Sequence, residues 1–376
     1  DSDITSTRSL LSNYMDFNAL VIGKVVYEKD YYKVNYIVWD VYNDKPLLAR
    51  GFSLNNPSKE DINYLAHYIS NSIYKAFVGE NGYFNSKITF VYNNKVYVMD
   101  YDGDNKQAIT DGNTEVYTPV FSSDNKYLAY ITLNKGVSEI YVYDLQTKVN
   151  YKLGNFNSLV LAPRFSEDNK FMLFAIAKGG STNIFQLNME TKEITQLTYS
   201  ESINIPGGYS PNGKYIAFTS DRRGPPQIYL MKNDGSAVRR ISSLTGTYYT
   251  PKWSPRGDLI AFTRVFKGGN FTIGVMDPNG DNERSIANDY FAEGPSWTTN
   301  GRNLIYQFAY DTKSRKYAFY LISLSNGYKL LLKPFDNIKD PNFSSNFVNK
   351  NIVNSEYDLI EEMQLLLPLS DSVNEK

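Results

Sequence analysis

The residues of this 376-residue chain that could do acid, base or metal chemistry are few and poorly grouped. There is one histidine, His67, and no cysteine. A Ser-His-Asp triad would have to use His67, since no other imidazole exists. It has no serine motif near it, and its helical spacing gives it a structural role. No Gly-x-Ser-x-Gly elbow occurs, because Gly207-Gly208-Tyr209-Ser210 reads as the start of a strand. Asp100-Tyr-Asp102-Gly103-Asp104 and Asp277-Pro-Asn-Gly280-Asp281 superficially resemble Ca²⁺ loops. Neither has the EF-hand glycine and terminal glutamate, and turn chemistry explains both. Lys178-Gly179-Gly180 and Lys267-Gly268-Gly269 precede no helix that could offer its N-terminus to a phosphate. Glu115 and Glu293 could act as an acid and a base in principle, but no carboxylate pair recurs at a recognisable spacing. The sequence therefore suggests no catalytic residue, no metal site and no cofactor.

The elements that would position such residues are set by a repeat. The pattern Pro-x-aromatic-Ser-x-Asp/Asn-Gly/Asn-Lys/Arg begins at Pro119, Pro163, Gly207, Pro251 and Pro295, a step of 44 residues each time. Each copy carries its aromatic (Phe121, Phe165, Tyr209, Trp253, Trp297) on a short strand and then turns through Asx and Gly residues suited to positive φ. Alternating apolar strands follow, such as Tyr215-Ile216-Ala217-Phe218 and Gln227-Ile228-Tyr229-Leu230. A short last strand ends in Leu or Ile, as at Leu197 and Ile241. Four antiparallel strands every ~40–45 residues are the signature of a propeller blade. Lys87–Val91, Lys95–Val98 and Gln107–Thr110 match the last three strands of a blade, and Pro341-Asn-Phe343-Ser344 matches the first. The expected architecture is a six-bladed β-propeller closed by strands from both chain ends, which removes exposed sheet edges.

The first 85 residues have a different grammar. Leu20–Tyr27, Lys33–Asp40 and Leu47–Phe52 read as three antiparallel strands. Ser58 and Asp61 make a helix-start signal, followed by an apolar face of Ile62, Leu65, Ala66, Ile69, Ile73, Ala76 and Phe77. The chain is thus expected to be mainly β with a small α/β domain: 1–85 an N-terminal α/β domain, truncated relative to a full one; 86–345 the propeller; 346–376 a C-terminal tail with a short helix. In that tail, Ser355 is expected to cap a helix carrying Leu359, Ile360, Met363, Leu366 and Leu367.

Composition is that of a globular protein, with 42% hydrophobic residues and 32 tyrosines suited to half-exposed strands. A formal charge of −1 argues against electrostatic capture of nucleic acid or an anionic membrane. No apolar run approaches the ~18 residues of a spanning helix, so the chain is not expected to be membrane-embedded. A monomer is expected.

Function is then expected at a rim of the propeller. Residues just before each blade's first strand should ring one mouth of the channel: Glu115, Tyr117, Leu159, Leu161, Ile203, Ile205, Tyr248, Tyr249, Phe291 and Glu293. Apolar and aromatic groups at such positions mark a site for a protein partner. A hydrolase or lyase acting on a peptide or glycan in the channel, and a propeller that only recognises small molecules, are the alternatives. Carboxylates about 5–10 Å apart across the channel would favour the enzyme.

The order of the parts resembles the TolB family. The resemblance rests on Asp16–Gly23, Trp39-Asp40, Ala66–Tyr74 and the Gly79–Phe84 junction feeding the first repeat, and covers about residues 14–345. It implies a non-enzymatic periplasmic protein of the Tol–Pal cell-envelope system. Such a protein binds the peptidoglycan-associated lipoprotein Pal with its propeller and TolA with its N-terminal region, and supports outer-membrane integrity and cell division. The family's N-terminal domain starts earlier than this chain, and its C-terminus usually stops sooner.

Overall fold

The computed structural model describes residues 18–28, 31–134, 136–311, 316–332 and 335–359. The chain divides into two compact units, one of residues 1–85 with 348–376 and one of residues 86–347.

The larger unit consists of six four-stranded antiparallel sheets. Five are continuous in sequence, led by strands Glu115–Phe121, Leu159–Phe165, Asn204–Tyr209, Thr247–Trp253 and Ala292–Trp297. The sixth is composite: Lys339–Asn346 pairs with Ser86–Tyr92, with Phe343 opposite Ile88, and two strands after Tyr92 complete it. This sheet is tied to both of its neighbours. Phe343 N–H donates to Ser296 Oγ of the fifth sheet at 3.1 Å. Phe121 and Thr118 N–H of the first sheet donate to Asn342 Oδ1 (3.2 Å) and Asp340 Oδ2 (3.0 Å).

The turn after each leading strand explains the repeat's composition. Ser122, Ser166 and Ser210 each accept a hydrogen bond on Oγ from the N–H five residues on, and donate to the Asp or Asn two residues on. The next position is left-handed in all five repeats (Asn125, Asn169, Gly213, Gly257 and Gly301, φ 57–74°), which only Asn and Gly adopt readily. Apolar strand faces are then buried between consecutive sheets. Phe174 and Ile140 pack between the first and second, and Phe218 and Leu173 between the second and third. Tyr306 and Ile273 do the same between the fourth and fifth.

In the smaller unit, strands Ala19–Glu28, Tyr31–Asp40 and Lys45–Asn55 form a sheet that a fourth strand, Glu356–Asp358, extends. Helix Lys59–Val78 opens with a capping box: Ser58 Oγ accepts from Asp61 N–H while Asp61 accepts from Ser58 N–H. Gly79 closes it at φ 77°. Leu65, Ile69 and Ile73 pack on Tyr36, Val38 and Phe52, whereas Ile62 and Phe77 of the expected apolar face are exposed.

The tail differs from expectation. A short helix spans Lys350–Asn354 with Asn349 as its N-cap, and Ser355 stands at its end instead of its start. The following residues pair with Lys45–Asn55, and Tyr357 lies over Gly51, where any Cβ would meet its ring within 2.2 Å. Leu359 is buried beside Trp39 and Ala49. Ile360, Met363, Leu366 and Leu367 lie outside the described residues.

Candidate functional site: a channel lined by the six leading strands

Every leading strand carries a β-bulge at one repeat position. The register shifts after Tyr117, Leu161, Pro206, Tyr249, Glu293 and Lys339. The backbone is left-handed at Thr118, Ala162, Thr250, Gly294 and Asp340 (φ 46–66°). Pro206 holds this position in the third strand and cannot adopt positive φ, so Gly208 takes the unusual conformation there, at φ 146°. The bulge re-aims the residue that follows. Val120, Arg164, Gly208, Lys252, Ser296 and Asn342, one from each strand, therefore line one cavity of about 290 Å³. All six sit immediately before the strand's aromatic.

Two of these side chains are cations. Arg164 Nε and Lys252 Nζ both donate to the carbonyl of Gly207, at 3.2 and 3.3 Å, and Arg164 Nη1 donates to Pro163 O at 2.7 Å. Among the described residues, no carboxylate lies within 4.0 Å of either cation. Protein encloses most of both groups, and each keeps part of its surface on the cavity. That burial lowers the Lys252 ammonium well below the ordinary lysine value, and the nearby Arg164 charge lowers it further, with Asp340 opposing. Burial brings the Arg164 guanidinium down to about 10, again against Asp340. Asp340 itself accepts from Thr118 N–H and is not in contact range of either cation. Glu293, on the fifth strand, has its carboxyl raised by burial and by the Asp340 charge.

The residues expected to ring a mouth occupy the opposite ends of the same strands. Tyr117 and Leu159 are each 38% exposed and Ile203 48%. Glu115 is exposed and accepts from Tyr117 Oη at 2.6 Å. Leu161, Ile205, Tyr249 and Glu293 are half-buried, and Phe291 packs between the rings of Phe271 and Tyr317. Tyr248 does not belong to the ring. It is fully buried in the core between the third and fourth sheets, and its hydroxyl donates to Glu283 at 2.9 and 3.0 Å. Strand alternation is the reason: Tyr248 and Tyr249 are successive and must face opposite sides. The equivalents of Tyr248 (Val116, Val160, Asn204, Ala292) are all buried.

The acidic loops bond within themselves. Asp104 N–H donates to Asp102 and Asp281 N–H to Asn279, with Gly103 and Gly280 at φ 95° and 99°. His67 is half-buried on its helix. Sequence reading missed Arg164 and Lys252. The signal was the variable position inside the repeat, where a charge is anomalous between a proline and a core aromatic.

This arrangement defines a β-propeller protein with a cavity lined by its six leading strands and, among the described residues, a second unit of one sheet and two helices. Residues 74–347 match the TolB beta propeller domain family, and the chain belongs to that family. It is similar to the Tol-Pal system protein TolB of Paramagnetospirillum magneticum, 39% identical over 138 residues (34% of this chain, 30% of the relative). It is likewise similar to that of Pelagibacter ubique, 36% identical over 143 residues (36% of this chain, 31% of the relative). Each of these matches spans about a third of the relative's length. The crystal structure of TolB from Acinetobacter baumannii superposes with a TM-score of 0.81 at 25% identity, covering 89% of this chain and 85% of that one. Among the described residues, no helix is long and apolar enough to cross a membrane.

Proposed function

We propose that this protein is a non-enzymatic periplasmic adaptor of the Tol–Pal system. Its larger unit is then a six-bladed ring closed by strands from both ends of the family domain. The smaller unit, residues 1–85 joined by the C-terminal tail, is the α/β domain. The observation that carries this reading is the likeness to a TolB structure along nearly nine-tenths of the chain, together with TolB relatives at 30–39% identity. In this role the propeller binds the lipoprotein Pal, the N-terminal region binds TolA, and the protein supports outer-membrane integrity and cell division as a monomer.

The Pal site is the rim of Glu115, Tyr117, Leu159, Leu161, Ile203, Ile205, Tyr249, Phe291 and Glu293. Tyr117, Leu159 and Ile203 support it as exposed apolar groups on three consecutive sheets, the pattern of a partner surface. Titration with the cognate Pal domain tests the reading. Saturable binding in the micromolar range is expected, weakened at least tenfold by Leu161→Asp or Tyr249→Asp. No binding at tens of micromolar, with both proteins folded, overturns the function. Full affinity in both variants moves the site away from this rim.

A further inference from the structure

A cation largely enclosed by protein is normally matched by an anion, because desolvating a bare charge is costly. Arg164 and Lys252 break that expectation as a pair. They come from the second and fourth leading strands and converge on the same carbonyl of Gly207 at 3.2 and 3.3 Å. One neutral carbonyl does not balance two positive charges. Arg164 uses two of its five N–H donors on protein groups and Lys252 one of three, so most of their donor capacity is unused.

The wall between them supplies room. Gly208 stands at the channel-lining position of the intervening third strand, and a Cβ added there would meet nothing within 4 Å. Its neighbour Gly207 is the reverse, since a Cβ there would lie 2.2 Å from Pro251 O. The third strand is thus held tightly at Gly207 and leaves a gap in the channel lining at Gly208. Trp253, beside Lys252, also belongs to the lining, with its indole nitrogen enclosed by protein. Trp253 Nε1 is buried with no protein partner, whereas the equivalent Trp297 Nε1 donates to Lys252 O at 2.9 Å. The remaining strands contribute only neutral lining, Val120, Ser296 and Asn342, while Glu167 in the turn after the second strand also lines the cavity and Asp340 acts on both cations from beyond contact range.

We infer that the channel holds an oxyanion-binding site between Arg164 and Lys252, open at Gly208, that takes a carboxylate or a tetrahedral oxyanion. Planar guanidinium and compact ammonium donors on two sides suit an oxygen-rich anion. A carboxylate side chain of an inserted protein segment and a free small anion share this chemistry. The site stands on the channel's own geometry and does not depend on the Pal reading.

Equilibrium dialysis of the full chain against radiolabelled sulfate tests it at fixed ionic strength. One saturable site per chain is expected. Lys252→Met is expected to weaken binding at least tenfold, Arg164→Met with Lys252→Met to abolish it, and Lys252→Arg to retain it within about threefold, each checked for native circular dichroism. A capped tetra-glutamate peptide and free acetate are then used as competitors. Competition by the peptide at tenfold lower concentration than acetate supports a protein carboxylate as occupant; equal competition supports a small free anion. Absence of saturable sulfate binding up to 10 mM (an upper limit of about 3 kcal/mol on binding) overturns the site. So does undiminished binding by the folded Lys252→Met protein. If Arg164→Met with Lys252→Met fails to fold, the contrast between Lys252→Met and Lys252→Arg decides.

Discussion

The fourth sheet and the channel wall treat an enclosed arginine in opposite ways. Arg264 is 8% exposed, and everything around it answers its charge. Its Nη1 pairs with Glu283 at 3.0 Å, its Nε donates to Thr245 O at 2.8 Å, and Tyr248 Oη donates to the same glutamate. The guanidinium also lies over the Tyr248 ring, 5.4 Å from its centroid. Arg164 has two carbonyls and no anion, with a second cation beside it. A closed network fixes how two strands pack, and once complete it has no capacity for a ligand. An incomplete one weakens the fold and retains that capacity. The contrast separates structural from binding charge on the same propeller.

Breaking the closed network should have the largest effect. Arg264→Met strands Glu283, whose side chain is only 7% exposed, with a single tyrosine partner. Truncating one member of a buried pair costs about 3–5 kcal/mol. The midpoint of urea unfolding should fall accordingly, with an unchanged slope. A loss below about 1 kcal/mol would show that water reaches Glu283 and that this network is not closed.

The same change on the channel wall should go the other way. Lys252→Met removes a charge that is enclosed without an anion and leaves a side chain of similar length. Stability should be unchanged within about 0.5 kcal/mol or should rise, because replacing a poorly matched enclosed charge by an apolar group of similar volume is often neutral or stabilising. A loss above about 2 kcal/mol would mean that Lys252 is a structural member like Arg264, and the contrast would collapse.

How much of this was legible in sequence depended on periodicity. The 44-residue step located the leading strands, because Ser122, Asp124 and Asn125 and their equivalents are dictated by one turn. The Ser58–Asp61 cap was equally local and equally legible. The bulges were not, because Thr118, Ala162 and Thr250 are residues that seldom adopt positive φ and so carry no signal of it. Without the bulge, the residues that line the cavity cannot be assigned. The strand starts are what the repeat makes legible, and there alternation allows only one of Tyr248 and Tyr249 on the channel side. The tail misled for another reason. Glu356–Asp358 is too short to show a strand period, and its conformation comes from pairing with Lys45–Asn55 across nearly the whole sequence.

The smallest effect expected is a pair of opposite pH slopes from the channel. Glu293 has a carboxyl raised above its ordinary 4.5 by burial and by Asp340. Between 4.5 and that raised value the folded chain binds more protons than the unfolded chain. Its contribution to stability is therefore full below 4.5 and is lost as pH rises through the folded value. Lys252 is shifted down from 10.5. Between its lowered value and 10.5 the unfolded chain binds the extra proton, so stability rises with pH across that alkaline window. Urea unfolding measured across pH in the parent, Glu293→Gln and Lys252→Met separates the two. Against the slopes of the other titrating groups, which both variants keep, Glu293→Gln should lose only the acid-side decline and Lys252→Met only the alkaline rise, each read as the difference from the parent. The Glu293 effect is the weaker because its carboxyl is moved less from its ordinary value than the Lys252 ammonium, which is lowered well below its own. Bound oxyanion would raise the Lys252 value toward 10.5, so saturating sulfate should flatten the alkaline rise in the parent and leave Lys252→Met unchanged. If sulfate alters the slope equally in both proteins, it acts elsewhere than between Arg164 and Lys252.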